Sequence, residues 1–242
     1  MPIFRLKLAT GEIYHIFNRG VDKRRIFSDN KDCFRFIHDL WEFNDKNAVV
    51  NTTFYLDPSH YRETFSIVEG RKLERKPRKL LVEILCFSLM PNHFHLLLRQ
   101  FVDGGISLFM RKLGGYSLYF NKKHNRTGSL LQGRFKAVHI KTDAQLMAIT
   151  NYIHLNRLEF IEPEWKEGIS NPKKAIEFLE SDRFSSYLDY IGEKNFPSVT
   201  SREFLTEIIG RPKQFKKFTE EKILDQIKLN KLLGSVSDLT LE

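Results

Sequence analysis

The sequence predicts an α+β fold in which an antiparallel sheet carries packed helices and is followed by a helical C-terminal extension. Three observations carry that expectation. The element order reads βαββαβα from Ile13 to Leu158, two apolar runs flank a Met90-Pro91-Asn92 turn at the centre, and after Pro163 only short helical stretches follow. A run of strands joined by one tight turn favours antiparallel pairing.

Each element has a local reason. IYHIFNR, residues 13–19, has the β-branched and aromatic content of a strand, and the cluster Lys23, Arg24, Arg25 makes a basic turn after it. Ser28 or Asp29 can cap a helix reaching about Asn47, because Phe34, Ile37, Leu40 and Trp41 recur on one helical face. Residues 49–79 show no period, contain Pro58, Gly70 and Pro77, and end in GRKLERKPRK, which reads as an irregular basic excursion. LLVEILCFS (80–88) and FHLLLR (94–99) are the hairpin strands. Ile106, Phe109, Leu113 and Phe120 predict one amphipathic helix over 106–121, and FKAVHI (135–140) is a further strand. Thr142 or Asp143 opens a helix through about Leu158. Beyond Pro163, helical pieces are expected at 173–180 and 184–191, a capping box at Thr200 and Glu203 before FLTEII, and a last amphipathic stretch over 216–233. Residues 1–195 are therefore read as one domain and 196–242 as its extension.

Lys and Arg number 39 against 30 Asp and Glu in 242 residues, a formal net charge of +9. The stretch from Ile191 onward holds 9 basic and 8 acidic side chains, so the surplus falls in the first 190 residues. Such a balance favours a polyanionic partner. Cys33 and Cys86 both sit among apolar neighbours, which argues against a disulfide framework or a cysteine metal site. No apolar run approaches the length of a membrane span, and MPIFRLKLATGE carries charges where a signal peptide needs an apolar core. The expectation is a cytoplasmic protein without a membrane partner.

Three groups of residues can do chemistry. His93 and His95 stand two apart, so in a strand both project from one face and can reach one ion. Two satisfied core histidines would give the same pattern, but Leu96, Leu97 and Leu98 make the strand core-like, and a polar pair at its mouth needs a reason. Tyr152 and Asn156 are four apart in NYIHLN and share a helical face, pairing a phenol with an amide; a packing tyrosine near a helix end is the plain alternative. Between Arg111 and Lys136 stand seven Lys or Arg and no Asp or Glu, interleaved with Tyr116, Tyr119, Phe120 and Phe135. A run of one sign with aromatics between suits phosphate binding and base stacking.

MPNHFHLLLR (90–99) resembles the HUH motif of single-tyrosine transposases, two histidines around a hydrophobic residue, here Phe94. NYIHLN (151–156) is similar to the helix that carries their tyrosine. YHIFNRGVDKRRIF (14–27), GSLLQGRFKA (128–137) and SSYLDYIG (185–192) resemble segments of the REP-associated tyrosine transposase branch. Arg157 stands where the family often has Pro, and Phe184 where it often has Trp.

The resemblance implies a ferredoxin-like HUH-endonuclease arrangement of the sheet. It also implies a metal-dependent endonuclease and strand transferase acting on single-stranded DNA next to palindromic hairpins, in a bacterial nucleoid. Tyr152 would attack a phosphodiester to give a 5′-phosphotyrosine, while His93, His95 and Asn156 would hold a divalent ion, Mg²⁺ or Mn²⁺. Asn18, Arg19, Arg25, Arg134 and Lys136 are the residues expected to grip DNA. His15 and His154 are left out of the metal set; residue 154 lies about 200° around a helix from residue 152. The competing readings are a replication-initiator or relaxase-type HUH nuclease and a hairpin-binding protein without cleavage. A monomer is favoured over a dimer.

Overall fold

The computed structural model describes residues 7–47 and 77–224, together with the backbone of residues 67–68 and 71–72. The first strand, β1 (Ile13–Arg19), leads through a 3-10 turn (Val21–Lys23) into α1 (Asn30–Glu42). A two-residue ribbon follows, β2 (Ile67–Val68) with β3 (Arg71–Lys72), and then the hairpin β4 (Val82–Met90) and β5 (His93–Gln100). Next come α2 (Gly105–Leu113), α3 (Tyr116–Lys123), β6 (Lys136–Ile140) and α4 (Asp143–Leu155), the last running into a 3-10 turn (Asn156–Phe160). The chain closes with α5 (Pro172–Ser181), α6 (Tyr187–Tyr190), α7 (Glu203–Ile209) and α8 (Pro212–Leu224).

The sheet order is β4-β5-β1-β6, every pair antiparallel. The predicted α+β class holds, with the histidine strand β5 at an inner position. Side-chain alternation sorts the sheet residues onto two faces. On one face Tyr14, Ile16, Phe94, Leu96 and Leu98 join Phe36, Ile37 and Leu40 of α1, Ile106 and Phe109 of α2, and Tyr116 and Phe120 of α3. On the other, Leu85 and Leu97 pack with Ile149, Tyr152 and Ile153 of α4. Leu205 of α7 and Phe215 and Ile223 of α8 belong to that second core. The C-terminal helices thus back the tyrosine helix.

Several boundaries differ from expectation for visible reasons. The first helix ends at Glu42, not Asn47: the Asn44 amide oxygen accepts from the backbone N–H of Leu81 and Val82 at 3.1 Å each, and its nitrogen donates to the Val82 carbonyl at 2.9 Å, anchoring the start of β4 instead of continuing the helix. The single helix expected over 106–121 is two, because at Gly114-Gly115 the bonding tightens and the Gly115 N–H reaches the Lys112 carbonyl at 2.9 Å. Of the piece expected over 184–191, only Tyr187–Tyr190 is helical. The Leu89 N–H donates to the Phe184 carbonyl and the Ser186 N–H to the Phe87 carbonyl, both at 3.0 Å, so residues 184–186 cover the free edge of β4. Thr200 makes no capping box: the residue before α7 is Arg202, and the buried Thr200 hydroxyl has no hydrogen-bond partner among the described residues. Most of the 49–79 excursion, and the part of the last helix beyond Leu224, lie outside the described residues.

Candidate active site

The site forms where the tip of the β4–β5 hairpin meets the C-terminal end of α4. The tip is fixed from below by the loop after β1: the Pro91 carbonyl accepts from the N–H groups of Ile26 and Phe27 at 2.7 and 3.1 Å, and the Asn92 carbonyl accepts from Gly20 at 2.8 Å. His93 stands at the end of β5, its Nδ1 2.6 Å from Asn92 Oδ1. Two residues on, His95 shares the face, with ring centroids 4.9 Å apart, as the spacing predicts.

Helix α4 begins where Thr142 Oγ1 accepts from the Gln145 N–H at 3.2 Å, and it lies with its last two turns buried on the sheet. That places the Tyr152 ring edge-on to His95, centroids 5.5 Å apart. After Leu155 the chain tightens into the 3-10 turn, and Asn156 Nδ2 donates to the Tyr152 carbonyl at 3.1 Å. The Asn156 amide also stands within hydrogen-bonding reach of the His93 ring and the Tyr152 phenol. Three side chains singled out in the sequence, His93, Tyr152 and Asn156, therefore meet in one cleft of about 290 Å³, which Arg19, Lys23, Glu159 and Lys166 also line; the fourth, His95, is fully buried against the His93 and Tyr152 rings.

Burial governs the electrostatics here. It drives the His93 imidazole down to about 4, helped by the positive charge of Lys166, and it drives His95 well below the ordinary histidine range. Both rings are neutral at physiological pH, the state in which an imidazole donates a lone pair. Tyr152, only 1 % exposed, is pushed up by burial, and the Asn156 hydrogen bond works against that shift. A phenol in this position stays protonated at neutral pH and requires positive charge nearby to ionise. Lys166 supplies one such charge, its Nζ 5.7 Å from the centre of the Tyr152 ring, and Trp165 packs behind with centroids 5.9 Å apart.

The residues expected to grip DNA divide. Arg19 lines the cleft and donates through Nε to Gln132 Oε1 at 2.5 Å, while Arg25, Arg134 and Lys136 are exposed. Asn18 is buried; its Nδ2 donates to the Gly133 carbonyl at 3.2 Å and its Oδ1 accepts from the Arg19 N–H at 2.8 Å, so it ties the 128–135 loop to β1. In the basic run, Tyr116 and Phe120 are core residues, not a stacking surface, and the Tyr116 hydroxyl donates to the Ile26 carbonyl at 2.6 Å. Lys123 reaches Asp29 and Asp32 at 2.7 Å each; the acids missing from the run in sequence come from α1 and its cap. His154 points away from the cleft, its Nε2 2.9 Å from Ser186 Oγ.

Sequence reasoning missed two groups at the site. Lys166 follows the 3-10 turn in a loop with no periodic signal. His15 was set aside, yet its Nε2 lies 2.8 Å from His95 Nδ1. The register of β1 on β5, which sets Phe17 opposite His95, brings it there.

Residues 70–156 match the family model described as Transposase IS200 like. This segment is similar to IS200-like transposases. It contains His93, His95, Tyr152 and Asn156, and it ends on the last of them. No curated protein matches the chain. Among solved structures, the one titled "Structure of the REP associates tyrosine transposase bound to a REP hairpin" superposes with a TM-score of 0.48 at 12% identity, covering 84% of this chain and 93% of that one. Among the described residues no helix is long and apolar enough to cross a membrane.

Proposed function

We propose that this transposase-like cleft cuts and rejoins single-stranded DNA, with Tyr152 as nucleophile and DNA beside palindromic hairpins as substrate. The observation that carries the reading is the convergence of Tyr152, His93 and Asn156, from an inner strand and a helix end, on one cleft whose rim holds Arg19, Lys23 and Lys166 against one acid, Glu159, with the buried His95 ring against those of His93 and Tyr152. The five family-like segments supply the substrate class.

In the proposed step a bond forms between the Tyr152 oxygen and phosphorus while the bond from phosphorus to the 3′ oxygen breaks. The phenolic proton leaves to solvent, and the departing 3′ oxygen takes a proton to become a hydroxyl. The 5′-phosphotyrosine conserves the phosphodiester energy for rejoining. Asn156 lowers the proton affinity of the phenol through its hydrogen bond, and Lys166 holds positive charge beside the ring. Arg19 and Lys23, which line the cleft, would bind the flanking phosphates, and the exposed Arg25, Arg134 and Lys136 would extend the grip.

The donor set fits a divalent ion. His95 Nε2 is buried without a hydrogen-bond partner among the described residues, both imidazoles are neutral, and the Asn156 amide stands within hydrogen-bonding reach of His93. His93, His95 and Asn156 would hold Mg²⁺ or Mn²⁺, which when bound polarises the scissile phosphate and neutralises charge on the leaving oxygen.

The test is to incubate labelled single-stranded hairpin DNA with the protein, with and without Mn²⁺ or Mg²⁺, and to run denaturing gels for a covalent adduct. Wild type gives a metal-dependent adduct and Tyr152→Phe gives none. Tight hairpin binding with no adduct or nick under any divalent ion would replace this reading with a binding protein that does not cleave.

A further inference from the structure

Strands β1 and β5 bring two buried histidines into contact on the α4 face of the sheet. His15 and His95 are each fully buried, their rings stack with centroids 5.0 Å apart and planes 19° from parallel, and His15 Nε2 lies 2.8 Å from His95 Nδ1. The outer nitrogens of the pair, His15 Nδ1 and His95 Nε2, have no hydrogen-bond partner among the described residues.

One hydrogen bond between two neutral imidazoles holds one proton, and its owner decides the chemistry of the far nitrogen. If His15 donates from Nε2, then His95 accepts at Nδ1 and carries its own proton on Nε2, where no lone pair remains for a metal. If His95 donates from Nδ1, its Nε2 presents a lone pair and His15 carries its proton on Nδ1. Metal-binding histidines generally have the second ring nitrogen held by such a partner, which fixes tautomer and ring orientation.

We propose that His15 is a positioning residue for the metal site: its Nε2 accepts the Nδ1 proton of His95 and so holds His95 in the tautomer whose Nε2 lone pair can ligate. The inference rests on the metal-dependent reading of the cleft. It also accounts for a fully buried histidine on β1 whose Nδ1 is unsatisfied, an arrangement that packing alone disfavours because a buried donor without an acceptor is destabilising. A hydrophobic residue would fill the position with no such penalty.

Two measurements decide it. Long-range ¹H–¹⁵N imidazole spectra of the metal-free wild-type protein at pH 7, with His95 assigned by His95→Gln, should show the His95 proton on Nδ1; a proton on Nε2 overturns the proposal. Mn²⁺ affinity of the DNA-free protein is then measured by water-proton relaxation. His15→Phe, which removes the acceptor, should bind Mn²⁺ about 10- to 100-fold more weakly. His15→Gln, whose side-chain carbonyl restores an acceptor, should recover most of that loss, and near-ultraviolet circular dichroism checks that both variants keep the fold. Wild-type affinity in a folded His15→Phe overturns the role of His15 while leaving the metal reading intact. Failure of the wild-type protein itself to bind Mn²⁺ overturns the metal reading and this role with it.

Discussion

Arg157 grips Asp182 with both arms of its guanidinium, Nε to Oδ2 at 2.8 Å and Nη2 to Oδ1 at 2.6 Å, in a pocket where both side chains are 7 % exposed. Its remaining nitrogen donates to the Leu89 carbonyl near the end of β4, and its plane lies over the Phe160 ring at 4.5 Å. The residue next to Asn156 is thus bound at once to the hairpin strand and to the segment after α5. Removing one partner of a buried pair strands the other charge, so Arg157→Met should destabilise the fold by about 3–5 kcal/mol. Urea denaturation checks this. Arg157→Lys should recover only part of the loss, because an ammonium cannot make the two parallel bonds.

Lys166 should act on rate more than on DNA affinity. Its charge stands beside the phenol that loses a proton in the proposed step, so Lys166→Gln should slow adduct formation by about 100-fold, the scale seen when one preorganised charge-stabilising group is removed. Single-turnover cleavage with saturating hairpin DNA separates this from weakened binding. Lys166→Arg should retain most of the rate.

His154 makes stability fall with acid. Burial pushes its folded value down to about 3 from an ordinary value of 6.5, so from about pH 6.5 down to pH 3 the unfolded chain binds a proton that the folded chain refuses. Its contribution is complete above pH 6.5 and is lost progressively as pH falls through that window. His154→Gln should therefore flatten the dependence of unfolding free energy on pH by about 1.4 kcal/mol per unit between pH 6 and 4. Denaturant titrations of wild type and variant at a series of pH values give the two slopes directly; parallel slopes would contradict the assignment.

Gly20 carries the turn that seats the hairpin tip. A Cβ there would lie 2.2 Å from the Arg24 carbonyl oxygen, a backbone atom that cannot move aside cheaply. Gly20→Ala should lower stability by about 1–3 kcal/mol and disturb Arg19 and Lys23 on the cleft rim. Thermal melting together with hairpin-DNA binding reads both effects.

The parts legible in sequence were those governed by short periods. Alternation placed His93 and His95 on one face of a strand, and helical spacing put Tyr152 above Asn156, because both rules act within six residues. His15 escaped because its bond to His95 spans 80 residues and depends on strand register. The Arg157–Asp182 pair escaped for the same reason, 25 residues apart with no common element. Asn18 looked like a DNA ligand by type and Lys123 belonged to the basic run, and only the folded chain shows one tying a loop and the other paired with Asp29 and Asp32. The helix over 106–121 split because two adjacent glycines weaken a helix more than its apolar face can signal.

The two halves of the candidate site have unequal freedom. His93 and His95 sit on β5, which is paired on both sides by β4 and β1, so their backbone cannot shift without tearing a ladder. Tyr152 and Asn156 sit at a helix end whose seat on the sheet is made by side chains alone, with α8 behind it. In the proposed cleavage, Tyr152 is the part that can travel when DNA enters, and the strand beneath is the fixed reference. Within the single chain, helix and strand align intramolecularly, so for a monomer adduct formation per chain at saturating DNA should be first order with a rate constant indifferent to protein concentration; a rate that rises with protein concentration would show that a second copy takes part.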